Sequence, residues 1–189
     1  TLGQAYNNLS LYEDARKTIE QSLPSIGRAG SGGASAWQTL ASTYLHEGQL
    51  AEARRALAKS DLLLGQDKAP NADLKARSAV IEGMIDIAEG RTREGITAFR
   101  RSLLLYESDS SISPEKIATA LQNLGLLLSD DGQFAAAKEA LQKALAISRR
   151  TLGDRHLRTG QLWYALAQNS FLAGDLPAAQ QAIGRALAI

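Results

Sequence analysis

Apolar residues recur along most of the chain at spacings of three and four, with charged and amide residues between them. Trp37, Leu40, Ala41 and Tyr44 are a clear example, because their spacing places all four on one side of an α-helix. This pattern predicts a series of amphipathic helices. Their approximate ranges are 1–8, 12–27, 34–47, 50–64, 72–89, 92–107, 114–131, 134–151, 157–173 and 176–188.

Four glycines divide the helical pattern into copies. Gly48, Gly90, Gly132 and Gly174 lie 42 residues apart, and each begins a similar segment with a small residue in its sixth position. An earlier copy, SLYEDA, covers residues 10–15. A fixed period with the same local sequence predicts a repeat array. We expect about five copies, each made of a helix A, a glycine turn and a helix B.

Small residues recur where each helix A should meet its helix B. A side chain of one carbon or none lets two helix backbones approach closely. The helix A residues are Ala41, Gly83, Gly125 and Ala167, and the helix B residues are Ala53, Gly95, Ala137 and Ala179. We expect Trp37 and Trp163 to fill the space between neighbouring repeats.

The second copy carries a family resemblance. Its residues are Trp37, Leu40, Ala41, Tyr44, Gly48, Ala53 and Leu57. They resemble the tetratricopeptide repeat signature, although the period is 42 residues here and 34 in the usual repeat. Long repeats of this kind are similar to those of kinesin light chain and of bacterial regulators. The third copy departs from the signature, with Glu82 and Asp86 where Leu and Tyr are usual.

The resemblance implies an all-α fold, a right-handed α-α superhelix (solenoid) of about five stacked helix-turn-helix repeats. We expect one array over residues 1–189, cut from a longer protein. Its repeats should lie near 1–28, 34–67, 76–109, 118–151 and 160–189. The last helix should leave an apolar face without a polar cap, formed by Ile183, Leu187 and Ile189. The glycine-rich segment 27–33 is interpreted as a flexible link, because it lacks the Gly-Lys-Ser/Thr ending of a phosphate loop.

Charge and composition restrict the partners. Lys and Arg number 21 against 20 Asp and Glu, which gives no general electrostatic reason to bind nucleic acid or an anionic membrane. There is no cysteine, and no apolar stretch approaches the roughly 18 residues of a membrane-spanning helix. We therefore expect no nucleic acid and no membrane among the partners, and a cytoplasmic location is favoured.

No catalytic, cofactor or metal site is expected. His46 and His156 lie in different repeats, and a metal site needs several ligands that converge on one point. We interpret both as solvated histidines. Three arginine pairs begin at Arg54, Arg100 and Arg149. With acidic residues on the same helices they predict a solvated face with ion pairs, and an anion- or nucleic-acid-binding patch is the alternative.

The family resemblance also implies where a ligand would bind, since helix A lines the concave surface in that family. The positions carried over are Gln38, Ser42, Arg77, Met84, Thr119, Gln122, Asn123, Leu126, Gln161, Tyr164, Gln168 and Phe171. Only Arg77 is basic, which argues against a clamp for a terminal carboxylate. We expect Asn123, Gln122 and Tyr164 to contribute first. Leu126, like Val80 and Ile81, could equally pack between neighbouring A helices.

The favoured function is a protein-protein interaction module that binds a peptide or partner segment in a neutral groove. One alternative is a regulatory domain of a bacterial kinase or transcription regulator that senses a ligand or signal peptide. Another is an assembly scaffold that self-associates through its uncapped ends. The neutral groove predicts that peptide affinity changes little with ionic strength.

Overall fold

The chain consists of helix pairs. A computed structural model describes residues 12–26, 30–66 and 71–189, which form nine α-helices and no strand. The helices are α1 (Tyr12–Ile26), α2 (Gly30–His46), α3 (Leu50–Gln66), α4 (Ala72–Ala88), α5 (Thr92–Glu107), α6 (Pro114–Asp130), α7 (Phe134–Leu152), α8 (Leu157–Leu172) and α9 (Leu176–Leu187). The prediction of an all-α repeat fold is confirmed. The helix predicted at residues 1–8 lies outside the described residues.

Most helix ends fall within two residues of the predicted positions, but α2 begins four residues early. The expectation of a flexible link is wrong for Gly30 to Gly33, which form the first turn of α2. Gly33 is buried, and Ala34 packs in a small core cluster with Leu64 and Leu74. Burial against neighbouring helices therefore outweighs the low helix propensity of glycine. Residues 27–29 lie outside the described part.

The turn between helix A and helix B has the same geometry in four copies. Gly48, Gly90, Gly132 and Gly174 have φ values of 73°, 81°, 77° and 79°, in the left-handed region that favours glycine. The N–H group of Gln49 donates to the carbonyl oxygen of Tyr44 at 2.8 Å, and the same bond recurs at 2.8 Å in the other three turns. This closure satisfies carbonyl groups at the end of each helix A.

The chain divides into two compact units, Thr1–Leu105 and Tyr106–Ile189. In the first unit, α1 to α4 share one hydrophobic core. Its buried residues are Ile19, Leu40, Ala41, Ala53, Ala56, Leu57, Ile81 and Ile85. Trp37 and Tyr44 are half-buried against this core, so Trp37 fills space beside it as expected. The core combines residues from three successive repeats, which couples their stability.

In the second unit, α6 to α9 form two helix pairs around buried leucines. The buried residues include Leu121, Leu124 and Leu128 of α6, Leu141 and Leu145 of α7, and Leu162 of α8. Polar groups also bridge the two repeats. The hydroxyl groups of Ser148 and Thr159 lie 3.0 Å apart, and the Asn169 amide donates to the carbonyl oxygen of Phe134 at 3.2 Å. Uncharged hydrogen bonds therefore reinforce the apolar contact between these repeats.

None of the helices in the described ranges is both long enough and apolar enough to cross a membrane.

Candidate functional site

The first unit places Gln38 inside the protein. Gln38 of α2 is fully buried, and its amide nitrogen donates to the carbonyl oxygen of Leu74 at 2.8 Å and to the hydroxyl of Ser78 at 2.9 Å. Both partners belong to α4, the helix A of the following repeat. The position carried over for peptide contact therefore connects two repeats here and presents no amide to solvent.

The other predicted residues of the first unit are more accessible. Ser42 of α2 and Arg77 of α4 are half-buried, and the Met84 side chain of α4 is 38% exposed. α2 and α4 are in direct contact, so these side chains belong to neighbouring A helices of one unit. These positions provide the flexible apolar side chain of Met84 and the cation of Arg77. No other predicted position is basic.

In the second unit, α6 supplies four predicted residues of mixed accessibility. Asn123 is exposed, whereas Gln122 and Leu126 are half-buried. The Thr119 hydroxyl donates to the carbonyl oxygen of Glu115 at 2.7 Å and also contacts the guanidinium of Arg158. Thr119 is thus engaged within the fold, and Asn123 is the most accessible amide on this helix.

All four predicted residues of α8 are exposed. Gln161, Tyr164, Gln168 and Phe171 follow each other at steps of three, four and three, which aligns them in one stripe along the helix. Tyr164 is 57% exposed and Phe171 is 64% exposed. Because α8 contacts α6 directly, the stripe lies on the helix next to Gln122 and Asn123. We refer to these four α8 residues as the α8 stripe.

The sequence analysis missed two apolar neighbours of the α8 stripe. Leu157 is 72% exposed at the start of α8, and Leu172 is 48% exposed at its end. The spacing from Leu157 through Gln161 to Tyr164 continues the same helical period, so the pattern contained a signal for Leu157. Leu172 follows Phe171 directly and extends the apolar area. Exposed apolar patches of this kind are typical of interaction surfaces.

Ion pairs explain the two residues of the third copy that depart from the repeat signature. Asp86 is nearly buried and accepts hydrogen bonds from Arg54 at 2.5 Å and from Arg91 at 2.7 Å, while Glu82 pairs with Arg101. Burial raises the pKa of Asp86 above its ordinary value, although Arg54 acts to lower it. Ionic contacts thus replace the apolar side chains that other copies use at these positions.

Both histidines have structural contacts. His46 lies in the last turn of α2, and its ring stacks on Tyr12 at 4.8 Å between centroids. His156 caps the N-terminus of α8, where its Nδ1 accepts a hydrogen bond from the backbone N–H of Arg158 at 3.1 Å. The cap is a role that the spacing of histidines did not indicate.

The fold defines a protein built from repeated helix pairs. Residues 116–189 match a family model described as the tetratricopeptide repeat, and residues 34–63 match a second model with the same description. The two matches together span more than half of the chain. The chain belongs to the tetratricopeptide repeat family, and repeats of this family generally mediate protein–protein interaction.

Solved structures share this fold at low sequence identity. BtubC (BKLC) from P. vanneervenii has a TM-score of 0.82 at 16% identity, over 99% of this chain and 76% of that one. A putative kinesin light chain with nearly identical TPR-like repeats from Podosopora anserina has a TM-score of 0.78 at 18% identity, over 99% and 90%. YrrB, a TPR protein with an unusual peptide-binding site, has a TM-score of 0.57 at 15% identity, over 98% and 81%. The predicted likeness to kinesin light chain repeats is confirmed.

Proposed function

We propose that the second unit binds an extended peptide segment of low net charge on the A-helix face formed by α6 and α8. The observation that carries this proposal is the α8 stripe, where two aromatic side chains are more than half exposed beside two exposed amides. Tyr and Trp side chains dominate the binding energy of many protein interfaces. Water contact with Tyr164 and Phe171 would be lost on binding, which favours association.

The exposed amide side chains would set the direction and register of the bound peptide. Gln161, Gln168 and Asn123 each carry a carbonyl acceptor and an NH2 donor, so they can pair with both the N–H and the C=O groups of a peptide backbone. The helical period separates Tyr164 from Phe171 by two turns, which is roughly 10 Å along the axis. An extended peptide rises about 3.3 Å per residue. Tyr164 and Phe171 would therefore contact peptide side chains about three positions apart.

The electrostatics favour an uncharged segment. The α8 stripe has no charged residue, and Arg158 at the start of α8 is half-buried and contacts Thr119. Interactions between exposed charges are screened by salt, whereas apolar contacts and amide hydrogen bonds are affected much less. The description of YrrB as a TPR protein with an unusual peptide-binding site is consistent with peptide binding by an array of this fold.

The test uses a peptide selected on the intact chain. A displayed library of random peptides would be panned on the 189-residue protein, and the best peptide synthesised with blocked ends. We expect the double variant Tyr164→Ala, Phe171→Ala to bind this peptide at least about tenfold more weakly, as for interface hot spots. The matched control is Leu187→Ala on α9, which removes a side chain that is 82% exposed but lies outside the face.

The Leu187→Ala control should bind the selected peptide with wild-type affinity. We also expect the dissociation constant to change less than about twofold between low and high salt. Unchanged binding by the double variant would show that the peptide uses another surface. A steep loss of affinity with salt would show that the bound segment is recognised through charge, which contradicts a neutral face.

A further inference from the structure

A recessed surface lies in the second unit, between its two B helices and helix α8. A cavity of about 540 Å³ is lined by α7, α9, the segment between α7 and α8, and one side of α8. The α8 residues that line it are Trp163, Leu166 and Ser170. Since successive helical residues are rotated by about 100°, these three lie roughly opposite the α8 stripe. The cavity is therefore separate from the proposed peptide face.

The lining of this cavity is strongly basic. Among the lining side chains, Lys138, Arg149, Arg155 and Arg185 contribute four positive charges, against one negative charge from Asp154. Arg149 pairs with Asp154 and, with Arg185, holds the pKa of that carboxyl below its usual range. No residue in the described ranges forms an ion pair with Lys138, Arg155 or Arg185. The cavity thus holds positive charge that the fold does not neutralise.

Comparison between repeats shows why Lys138 lacks a partner. The residue after the small alanine of helix B is Arg16 in the first copy, and its Nε lies 3.3 Å from Oε2 of Glu47. The same position holds Arg54 in the second copy, whose Nε lies 3.0 Å from Oε2 of Glu89. Each carboxylate belongs to the residue directly after the last residue of helix A in the next copy. We call these contacts the inter-repeat ion pairs.

In the fourth copy the cation of this contact is retained and the carboxylate is missing. Lys138 follows the small residue Ala137, as Arg54 follows Ala53. The acceptor position lies two 42-residue periods after Glu89 and three after Glu47, and it holds Ala173 in the fifth copy. The unpaired ammonium group of Lys138 can pair with a carboxylate of another molecule. In two earlier copies the cation at the equivalent position already pairs with a carboxylate.

An apolar floor accompanies the basic rim. Trp163 is half-buried, Leu166 and Ala182 are buried, and all three line the cavity. In the second copy, the ammonium of Lys59 lies 4.2 Å from the centre of the Trp37 ring. Arg185 occupies the position of Lys59 in the repeat. The fifth copy therefore combines an aromatic ring and a cation in equivalent positions, and here both line the cavity.

We propose that this cavity binds an acidic segment of a partner protein, with an apolar side chain against Trp163 and flanking carboxylates paired with Lys138, Arg155 and Arg185. The cationic side chains of the rim are exposed, so the site does not enclose its occupant as small-molecule pockets do. Several weak contacts spread along a peptide suit such an open site. Arginine also matches carboxylate geometry through two parallel hydrogen bonds.

The experiment uses the intact chain and three end-blocked peptides: Asp-Glu-Phe-Asp-Glu, its amide counterpart Asn-Gln-Phe-Asn-Gln, and Asp-Glu-Gly-Asp-Glu. The chain has two tryptophans, and comparison with Trp163→Phe assigns their indole N–H signals in a nitrogen-proton NMR spectrum. We expect the first peptide to shift the Trp163 signal and leave that of Trp37 unchanged. The amide and glycine peptides should bind much more weakly, and affinity for the first should fall with salt.

Charge variants locate the contact. We expect Lys138→Gln combined with Arg185→Gln to weaken the first peptide roughly five- to tenfold, from two partly screened charge contacts. The matched control is Lys143→Gln combined with Arg150→Gln, which removes two exposed charges from α7 that do not line the cavity. The control should stay within about twofold of wild type.

Three results would overturn the proposal. They are an unchanged Trp163 signal with the first peptide, an equal loss of affinity in both double variants, and equally tight binding of a short oligothymidylate, which would indicate a general polyanion surface. The variant Tyr164→Ala, Phe171→Ala should bind the acidic peptide normally. The two proposed surfaces can therefore fail independently of each other.

Discussion

Gly83 and Gly95 face each other across the third helix pair without space for a methyl group. A Cβ atom on Gly83 would lie 3.0 Å from the carbonyl oxygen of Gly95 and 2.8 Å from a ring carbon of Phe99. A Cβ atom on Gly95 would lie 2.9 Å from the carbonyl oxygen of Gly83. The backbone of α4 therefore contacts the backbone of α5 directly, as the small residues at these positions predict.

Gly83→Ala should destabilise the protein. We expect the free energy of unfolding to fall by about 1–3 kcal/mol, because the added methyl group meets backbone as well as a side chain. Urea unfolding followed by circular dichroism measures this change. Gly184→Ala in α9 is the control, since a Cβ atom there meets nothing within 4 Å. It should gain about 0.5–1 kcal/mol from helix propensity. Equal effects of the two substitutions would contradict the close approach.

Gln38→Ala should reduce stability far more than the same change at an exposed glutamine. Gln38 is fully buried and donates two hydrogen bonds to α4. Truncation leaves a cavity and removes both bonds, so we expect a loss of roughly 2–4 kcal/mol. Gln168→Ala removes an exposed amide and should change the free energy of unfolding by less than about 0.5 kcal/mol. A small effect at Gln38 would show that the contact between these repeats does not depend on its amide.

Adjacent arginines on α3 should differ in their effect on stability. Arg54 pairs with Asp86 and Glu89 of the next repeat, whereas Arg55 is 76% exposed and pairs with Glu52 one turn away. We expect Arg54→Gln to lower the free energy of unfolding by roughly 1–2 kcal/mol, because it weakens the compensation of a buried carboxylate. Arg55→Gln should cost less than about 0.5 kcal/mol. Chemical denaturation of both variants in low salt compares them, and equal losses would contradict this difference.

Tyr44 should give the protein a stability loss at alkaline pH. Burial, and then a hydrogen bond of 2.8 Å to Glu20, raise the pKa of Tyr44 from 10.0 to about 12. The folded state therefore keeps the phenol protonated where the unfolded state releases its proton. This contribution is fully present below pH 10 and is lost as the pH rises through about 12.

Absorbance of tyrosinate measures the titration of Tyr44. The wild-type chain should show a late component that is missing from Tyr44→Phe, and its free energy of unfolding should fall more steeply above pH 10 than that of the variant. Ionisation of every tyrosine in one step near pH 10 would show that the Tyr44 phenol is not held by its buried contact.

The repeat organisation could be predicted because its determinants are local. The turn glycines, the small residues at the helix crossings and the helical period all act within one helix pair, and a fixed spacing reveals them directly. The family resemblance implied Gln161, Tyr164, Gln168 and Phe171 as inner positions of a helix A, and all four are exposed on α8. Whether the stripe binds a peptide stays a prediction.

Contacts between repeats were harder to predict from the sequence. Gln38 was expected at a surface, but whether a helix A position faces solvent or the next helix depends on Ser78 and Leu74, which lie 36 to 40 residues away. Asp86 departs from the signature because Arg54, 32 residues earlier, compensates its charge. The basic cavity combines residues of α7, α8 and α9. Spacing within one helix cannot show such combinations.

The inter-repeat ion pairs have a mechanical consequence. Repeats of the first unit are connected by the ion pairs Arg16–Glu47 and Arg54–Glu89. Repeats of the second unit are connected by the uncharged hydroxyl groups of Ser148 and Thr159. Concentrated salt weakens these ion pairs and leaves the hydrogen bond between the hydroxyl groups nearly unchanged. Under a pulling force, concentrated salt would therefore lower the force at which the repeats of the first unit separate and leave that of the second unit nearly unchanged.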